Sequence, residues 1–364
     1  MKFYSQEFNH EQTEKVGILL VNLGSPDAPD AKSIRRFLGE FLSDHRVIEM
    51  PKFIWQIILN FFVLPFRPSK LVPLYQSIWT DDGSPLVSIA QKQKEQLEIL
   101  YAERAKKNGI ENKLSFALAM CYGKPDIESA IKQLTSDNAR KILVLPTYAQ
   151  YSGSTTAAIF DSITSELQQW RWVPELRFIN QYHDHEAYIQ ALADSVKTHW
   201  QSHAKGQKLI MSFHGLPKVY LTKGDPYFCQ CHKTARLLAE KLQLSESQWA
   251  ITFQSRFGKQ EWLKPYTSES LIDLVDQGIE SVDIICPGFS IDCLETLEEI
   301  AVENRDVFLK AGGKTYHYIP ALNDSLAQIK MLSSLIEQHT QGWDVISDLD
   351  ELLHRKKLKD SVSL

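Results

Sequence analysis

The chain has 364 residues, of which 43% are hydrophobic and 23% are charged, and its formal net charge is −5 at pH 7. This length predicts two domains and is ample for a sizeable core. The negative charge gives no sign of a nucleic-acid partner, and the polar first residues, together with an odd number of cysteines, indicate a protein of the reducing cytoplasm.

Short apolar runs predict eight buried strands. They are Val16–Leu23, Leu114–Cys121, Ile142–Pro146, Leu176–Asn180, Leu209–Phe213, Ala250–Gln254, Val282–Cys286 and Lys314–Ile319. Most runs are continuous rather than alternating, which is typical of parallel sheets covered on both faces. Helical periodicity marks the stretches Gln91–Lys106, Asp126–Leu134, Thr234–Leu242 and Leu294–Leu309. The alternation favours an α/β fold with doubly wound sheets.

Similar segments occur twice in the same order. The pairs are 17–26 with 208–217, 119–131 with 253–272, and 141–152 with 282–293. Three matches in register predict a duplicated α/β domain. We expect a first domain at 16–170 and a second at 174–312. A last strand and helix at 313–341 are expected to pack back on the first domain, and residues 342–364 to form a surface tail.

The first half carries an extra segment at 39–85 that is rich in Phe, Trp, Pro and basic residues. Its most apolar part, Trp55–Phe66, is far shorter than the ~20 residues that span a bilayer. It predicts a surface that lies on a membrane or lines a pocket, or else an ordinary core helix. Four basic residues in the segment are candidates for binding an anionic substrate, although most are expected to be solvated: Arg46, Lys52, Arg67 and Lys70.

His214 follows an apolar strand and precedes Gly215-Leu216-Pro217. Ligands of open parallel sheets bind beyond the carboxyl ends of the strands. Imidazole at such a strand exit can act as a general base or a metal ligand. The alternative is a histidine that only caps the strand through a backbone hydrogen bond.

Asp292 and Glu295 are three residues apart at the start of a predicted helix, which is the pattern of a capping box. Glu295, Glu299 and Glu303 then repeat at four-residue steps. One interpretation is a solvated helix face. The other is a carboxylate track that leads metal ions or protons to or from a site at the edge of the sheet.

Other motifs are weak or missing. Cys229-Gln230-Cys231-His232 suggests a soft metal site but lacks a second ligand pair at finger-like spacing. The chain has no G-x-G-x-x-G after a strand, no phosphate loop and no G-x-S-x-G elbow. These absences argue against nucleotide-dependent enzymes and hydrolases.

Several segments together resemble the signature segments of the ferrochelatase family. They are GILLVNLGSPDAP, YQSIW with GSPL, SFHGLPKVYLTKGDPY, TFQSRFG with WLKPYT, CPGFSIDCLETLEEIAVENR and GGKTYHYIPALN. The resemblance is collinear over about residues 16–340 and is strongest to the enzymes of Gram-negative proteobacteria. It implies two similar Rossmann-like, chelatase-type domains, each a parallel sheet flanked by helices, with a porphyrin cleft between them.

The resemblance also implies an activity. Members of this family are lyases that insert Fe(II) into protoporphyrin IX to give protohaem, with release of two protons, in the last step of haem biosynthesis. Peripheral contact of the 39–85 lip with the inner membrane is implied as well. The long apolar insertion favours protoporphyrin over coproporphyrin.

Roles follow residue by residue. The resemblance matches His214 and Glu295 to the catalytic pair, either of which is a candidate metal ligand, and Glu299 and Glu303 to a proton or metal path. Candidates for the porphyrin pocket are Leu23, Tyr75, Ser84, Tyr151, Trp262 and Phe289. A cleft that binds a saddled ring better than a flat one would lower the barrier to metal insertion, and His214 would accept pyrrole protons.

Three departures from the family pattern matter. Cys293 replaces a histidine found in many members, and Cys121 replaces an arginine. No cysteine follows Cys293, so we expect no [2Fe–2S] cluster and no other required cofactor. The rival hypotheses are a porphyrin carrier without chemistry, a cobalt chelatase for another tetrapyrrole, and a generic nucleotide-binding enzyme.

Overall fold

The computed structural model describes residues 3–4, 13–109, 111–258 and 260–345. It contains all eight predicted strands, with ends that differ by three residues or fewer. They are β1 (Lys15–Asn22), β2 (Leu114–Met120), β3 (Ala139–Pro146), β4 (Glu175–Phe178), β5 (Lys208–His214), β6 (Trp249–Gln254), β7 (Ser281–Ile285) and β8 (Thr315–Ile319).

The strands form two four-stranded parallel sheets with the same order. The first sheet runs β2-β1-β3-β4 and the second runs β6-β5-β7-β8. The loop after the second strand returns in the same way in each half, because Met120 N donates to Pro125 O and Phe253 N donates to Pro265 O. The predicted α/β class and the duplication are therefore confirmed.

Helices flank both sheets. They are α1 (Ala31–Ser43), α2 (Lys52–Ile58), α3 (Arg67–Ile78), α4 (Pro85–Asn108), α5 (Ile127–Ser136), α6 (Ala158–Leu167), α7 (Glu186–Ser202), α8 (Lys218–Thr222), α9 (Tyr227–Lys241), α10 (Thr267–Asp276), α11 (Arg305–Ala311) and α12 (Leu326–His339). Four further helical segments lie in the described part of the chain: the π-helical turns Leu59–Val63 and Gly153–Ala157, the 3-10 turn Glu246–Gln248 and the π-helix Glu295–Asn304.

One hydrophobic core joins the two sheets. Ile18 and Leu20 of β1 belong to the same buried cluster as Met211 and Phe213 of β5, with side chains of α4, α7, α9 and α12 between them. Alternate residues of each strand point to the opposite faces, which have separate clusters covered by α5 and α6 in the first half and by α10 and α11 in the second. The carboxyl ends of the two central strands therefore face a common cleft.

The predicted insertion is a helical lip over this cleft. It begins earlier than the sequence predicted, with α1, whose first turn is capped by Asp30 through the amides of Lys32 and Ser33. Among the described residues no single helix is long and apolar enough to cross a membrane. The segments Lys52–Val63 and Arg67–Ile78, bent by 66° to each other, reach the required length and apolar composition only as a pair.

The expected boundary between the domains at 170–174 is wrong, because β4, which begins at Glu175, pairs with β3 in the first sheet. The end of the chain corrects two further expectations. The last strand does not pack on the first half, because β8 pairs in parallel with β7 as an edge strand of the second sheet. Helix α12 alone returns to α4, where Arg104 pairs with Glu337 at 2.5 Å. The predicted surface tail also begins inside the folded structure. Trp343 is 6% exposed, and its indole donates a hydrogen bond to the Glu175 side chain of β4 at 2.9 Å. Residues 346–364 of that tail lie outside the described residues.

The predicted helix 294–309 has a different local geometry over most of its length. Residues Glu295–Asn304 form a π-helix, and ordinary α-helix resumes at Arg305. The segment contains neither Gly nor Pro, and ten residues are too few to separate periods of 3.6 and 4.4 in a hydrophobic pattern.

Candidate functional site

His214 is the last residue of β5 and lies half-buried at the edge of the cleft. Its Nδ1 is 2.7 Å from the carbonyl oxygen of Gly215. A carbonyl can only accept, so Nδ1 carries the proton and Nε2 is left with its lone pair in the neutral ring. The backbone at this strand end is fixed in turn by Tyr227, whose hydroxyl donates to the carbonyl of His214 at 3.0 Å. The predicted backbone bond exists, and it orients the imidazole.

Glu299 lies next to this histidine on the π-helix. Both of its carboxylate oxygens are bonded by Ser255, through the backbone amide at 2.6 Å and through the hydroxyl. Gln254, which pairs with His214 across the strands, donates to Glu299 at 3.3 Å and to the carbonyl of Glu295 at 2.8 Å. Burial raises the pKa of the Glu299 carboxyl, although the Ser255 bonds and the imidazole of His214 act in the opposite direction.

Glu295 occupies the first position of the π-helix and faces the lip. Electrostatic interactions connect its carboxylate to Arg67 and Tyr75 of α3, so the lip helix of the first half approaches the carboxylate of the second. Burial lowers the pKa of the Arg67 guanidinium and raises that of the Tyr75 phenol. The Glu295 side chain is also a hydrogen-bonding neighbour of the Cys293 thiol.

The loop after β3 forms the opposite wall. The Tyr148 hydroxyl is buried without a hydrogen-bond partner and interacts electrostatically with Glu295 and Cys293. Tyr151 is half-buried, and its backbone amide is bonded by the Gln230 side chain at 2.7 Å. This loop is therefore docked on helix α9 of the second half.

The remaining pocket candidates line the same region to different degrees. Phe289 lies with its ring centre 6.4 Å from that of His214. Trp262 is half-buried, contacts Gly215 from one side, and has an indole nitrogen that is buried without a partner. Leu23 packs between the main core and the lip cluster. Ser84 is buried at the start of α4 and makes no capping bond.

The lip touches the second half at two places. The guanidinium of Arg67 lies over the ring of Phe257, 4.4 Å from its centre. On the other side, Tyr220 donates to the carbonyl of Val47 at 3.1 Å. A flat ligand in the cleft would therefore be enclosed by both halves.

The other basic residues of the insertion have different surroundings. Arg46 makes a double hydrogen bond to Asp161 at 2.7 and 3.2 Å, which raises the pKa of its guanidinium. Lys52 and Lys70 are exposed. Of the four residues named from the sequence, Arg67 is the one that reaches the candidate site.

Asp292 is not the helix cap that the sequence predicted. It is 6% exposed, and its carboxylate accepts bonds from Thr296 at 3.0 Å, the amide of Ala321 at 3.2 Å and the Asn323 side chain at 2.7 Å, as well as from Tyr318. It fixes the chain after β8 to the start of the π-helix. A buried carboxylate with four donors overrides the local capping preference.

The cysteines do not converge. Cys229 is exposed on α9, whereas Cys231 on the same helix is buried, so the Cys-Gln-Cys-His run forms no common site. Burial raises the pKa of the Cys121 thiol to about 12 and that of Cys293 well above its usual value. In the cleft, burial therefore favours the neutral form of the Cys293 thiol.

The structure thus brings His214, Glu295 and Glu299 to one sheet edge, whereas Glu303 lies farther along the helix with an exposed side chain. The ligand atoms of the first three residues are not all within 4.8 Å of one another. Sequence reasoning missed Tyr148 as a wall and Ser255 as a support. Ser255 has φ +63°, and its position after β6 at a strand exit was the available signal.

The chain is similar to known proteins in sequence and in fold. The family model described as Ferrochelatase matches residues 15–340. The chain is 51% identical over 342 residues to "Ferrochelatase" of Nitrosococcus oceani, covering 94% of this chain and 91% of the relative. It is 50% identical over 337 residues to "Ferrochelatase" of Thioalkalivibrio sulfidiphilus, covering 93% and 90%. SirB from Bacillus subtilis with Fe3+ has the same fold, with a TM-score of 0.52 at 13% identity, covering 92% of this chain and all of SirB.

Proposed function

Since the chain belongs to the ferrochelatase family, and is therefore an enzyme that inserts a metal ion into a porphyrin, we propose that its reaction is insertion of Fe(II) into protoporphyrin IX. The products are protohaem and two protons, and the reaction is the last step of haem biosynthesis. The observation that carries the proposal is the imidazole of His214, whose Nδ1 is bonded to the Gly215 carbonyl at 2.7 Å. Its Nε2 lone pair lies at the same edge as the two carboxylates.

His214 takes the protons of the pyrrole nitrogens in this proposal. Each proton must leave before the nitrogen lone pairs can bind the metal. A base with a fixed tautomer performs this step without reorganisation, because the Gly215 carbonyl holds the ring in the reactive orientation. Binding a distorted ring better than a flat one would lower the barrier further.

The three glutamates of the π-helix are proposed to bind the incoming Fe(II) and to carry away the released protons. Glu295, beside the lip, is the proposed carboxylate ligand of Fe(II) on the porphyrin face. Carboxylate and imidazole ligands both suit this ion, so His214 is the other candidate ligand. Glu299 accepts released protons, because burial has raised the pKa of its carboxyl. Glu303, exposed beyond it, passes them to solvent.

The porphyrin lies between the lip and the carboxyl ends of the strands. Its proposed walls are Leu23, Tyr75, Ser84, Tyr151, Trp262 and Phe289. The apolar character of the lip favours protoporphyrin IX, which carries fewer propionates than coproporphyrin. Arg67 is the proposed contact for one propionate, because its guanidinium lies half-buried over Phe257.

The lip also supports contact with a membrane surface. Seven large apolar residues between positions 50 and 66 are exposed: Met50, Phe53, Ile54, Ile57, Phe61, Phe62 and Phe66. A contiguous apolar surface of this kind is typical of a binding face, and exposed Lys52 and Lys70 suit anionic lipids. We place the enzyme in the cytoplasm, at the surface of the inner membrane.

The enzyme is proposed to work without an iron–sulfur cluster. Of the five cysteines only Cys229 and Cys231 share an element, and among the described residues no three cysteines have their sulfur atoms close together. The four-cysteine set that usually holds such a cluster is therefore not assembled.

The test is anaerobic turnover of protoporphyrin IX with Fe(II), followed by loss of porphyrin fluorescence and appearance of haem. We expect turnover in the wild type and a loss of at least about 100-fold in His214→Ala and Glu295→Gln, with porphyrin binding retained. His185→Gln and Glu337→Gln, which change residues remote from the cleft, serve as matched controls. Tight porphyrin binding without turnover in the wild type would leave a carrier, and faster turnover with Co(II) or coproporphyrin would revise the substrates.

A further inference from the structure

A second group of metal-ligand side chains lies away from the cleft. Among the residues that the structure describes, one group of three His, Cys, Asp or Glu has ligand atoms that all lie within 4.8 Å of one another: His199, Asp283 and His317. Nδ1 of His317 is 3.0 Å from Oδ1 of Asp283, and Nε2 of His199 is 4.0 Å from the same oxygen. The set is two imidazoles and one carboxylate.

These residues lie toward the amino-terminal edge of the second sheet, opposite the cleft. Asp283 of β7 is paired in register with His317 of β8 on one side and with Leu209 of β5 on the other. His214 is five residues farther along β5 than Leu209, which is about 16 Å along an extended strand. The group is therefore separate from the site described above.

Asp283 is held rigidly. Its side chain is 1% exposed, and Oδ2 accepts hydrogen bonds from the indole of Trp200 at 2.7 Å and the amide of Gly206 at 2.8 Å. Oδ1 points the other way, toward His317 and His199. A buried carboxylate is stable only with positive or hydrogen-bonding partners, and this arrangement directs one oxygen at the two imidazoles.

One ring nitrogen of His199 has no hydrogen-bond partner. Its side chain is 10% exposed, and Nε2 is buried without any hydrogen-bond partner. Burial lowers the pKa of this imidazole, and the neighbouring His203 acts in the same direction. A neutral imidazole is the form that binds metals.

His203 covers the outer side of the group. Its ring stacks on His199 with centres 4.2 Å apart and planes 6° apart, and it lies 5.1 Å from the ring of His317. Because His203 is exposed, this side of the group borders solvent, and an ion can enter there.

We propose that His199, Asp283 and His317 bind a divalent first-row transition cation such as Zn2+ or Co2+, at a site distinct from the one that handles the substrate metal. Imidazole and carboxylate are ordinary ligands for these ions. Metal bonds of about 2.0–2.2 Å place tetrahedral ligand atoms roughly 3.3 Å apart. Nδ1 of His317 and Oδ1 of Asp283, 3.0 Å apart, are close to this spacing, and Nε2 of His199, 4.0 Å from the same oxygen, must move closer to bind the ion. The ion would tie α7 to β7 and β8.

The structural alternative is a hydrogen bond between His317 and Asp283 with two stacked histidines beside it. That arrangement explains the 3.0 Å contact, but it leaves Nε2 of His199 buried and unpaired. An ion between the three ligand atoms satisfies that nitrogen and the carboxylate oxygen together, which is why we favour it.

The test uses a full-length parent, His214→Ala/Glu295→Gln, in which the cleft can no longer contribute its two main ligands. Co2+ is titrated into porphyrin-free protein and followed by visible absorption, with Zn2+ as competitor. We expect one equivalent to bind. Adding His199→Ala or His317→Ala should weaken binding at least about tenfold, whereas adding His185→Gln, at the other end of α7, should leave it unchanged.

Thermal unfolding gives an independent readout. Zn2+ should raise the Tm of the parent and of its His185→Gln form, and should not raise that of the His199→Ala form, because an ion that binds only the folded state stabilises it. Circular dichroism of each variant checks that it is folded. The proposal is overturned if the parent binds no Co2+, or if the His199 and His317 variants, shown to be folded, bind it as tightly as the parent.

Discussion

The guanidinium carbon of Arg67 lies 4.4 Å from the centre of the Phe257 ring, so a helix of the first half is held directly against a loop of the second. The same guanidinium interacts electrostatically with Glu295. One side chain therefore joins the closure of the lip to the charge of the proposed catalytic carboxylate.

Removing this contact should loosen the cleft. We expect Phe257→Ala to raise the KM for porphyrin roughly fivefold with a smaller change in kcat, because a cation–π contact of this kind contributes about 1 kcal/mol. Steady-state kinetics with protoporphyrin measure it. Arg104→Ala, which removes a cation–π contact to Tyr101 outside the cleft, is the matched control. Equal KM values for Phe257→Ala and the wild type would show that the contact does not close the lip.

Replacing Glu299 should lower kcat more than replacing Glu303 on the same π-helix. Glu299 is bonded by Ser255 and has a raised pKa, whereas Glu303 is exposed. We expect Glu299→Gln to lower kcat at least about tenfold, because a positioned acid–base group is lost. Glu303→Gln should change kcat by less than about twofold, since water can replace a solvated carboxylate. A larger loss at Glu303 than at Glu299 would contradict the proposed direction of proton release.

Thiol reactivity should separate the cysteines. Cys229 is exposed, whereas burial raises the pKa of Cys121, Cys231, Cys286 and Cys293. With an aromatic disulfide reagent we expect one fast thiol per native chain and five after denaturation. Cys229→Ser should abolish the fast phase. A fast phase that persists in this variant and maps to Cys293 would mean that the cleft holds a reactive thiolate.

His232 should make stability depend on pH. Its Nε2 is buried without a partner beside the Phe228 ring, and burial lowers the pKa of the imidazole. A depressed pKa favours the neutral ring in the folded state, so its contribution to stability is present above about pH 6.5 and is lost as the pH falls below that value.

The measurement compares urea unfolding of the wild type and His232→Leu at pH 7.5 and pH 5.5. The variant should gain stability relative to the wild type at the lower pH. His45→Leu, at a side chain that is 80% exposed, is the control, because that imidazole is solvated in both states. A difference between His232→Leu and the wild type that is the same at both pH values would refute the assignment.

The exposed lip residues should govern membrane binding. We expect Phe53→Glu/Phe61→Glu to reduce sedimentation with vesicles of phosphatidylethanolamine and phosphatidylglycerol several-fold, because two apolar side chains, 79% and 70% exposed, are replaced by negative charge. Leu326→Glu changes a residue that is 66% exposed far from the lip and should sediment like the wild type. Unchanged sedimentation of the lip variant would mean that this surface serves another purpose.

The sequence was most informative about the sheets. Apolar runs located all eight strands. The pattern is clearest in the six strands other than the edge strands β4 and β8, because a strand buried on both faces has few polar positions. The strand exits then located His214, since the edge at which a parallel sheet binds ligands follows from its topology. The proposed role of Glu295 came from the family resemblance, as did the pocket candidates Leu23, Tyr75, Ser84 and Trp262.

Local patterns failed where distant partners decide the structure. The spacing predicted that Asp292 caps a helix. Instead its carboxylate is buried and accepts hydrogen bonds from Tyr318 and Asn323, about 30 residues downstream. Arg67 looked like a solvated surface charge, and its position over Phe257 depends on the packing of a whole helix. Trp343 lay in a segment that reads as a tail, yet it is buried against the first sheet. No window of neighbouring residues contains these contacts.

The return of α12 has a consequence for the order in which the enzyme is completed. Its contacts with α4 run from Gln93, which donates to Asn323 just before the helix, to Arg104, which pairs with Glu337. The first half is thus completed by a stretch of sequence that follows α4 by more than 200 residues. While the second half is still being translated, α4 lacks these contacts, so the synthesis of α12 completes the packing of both halves.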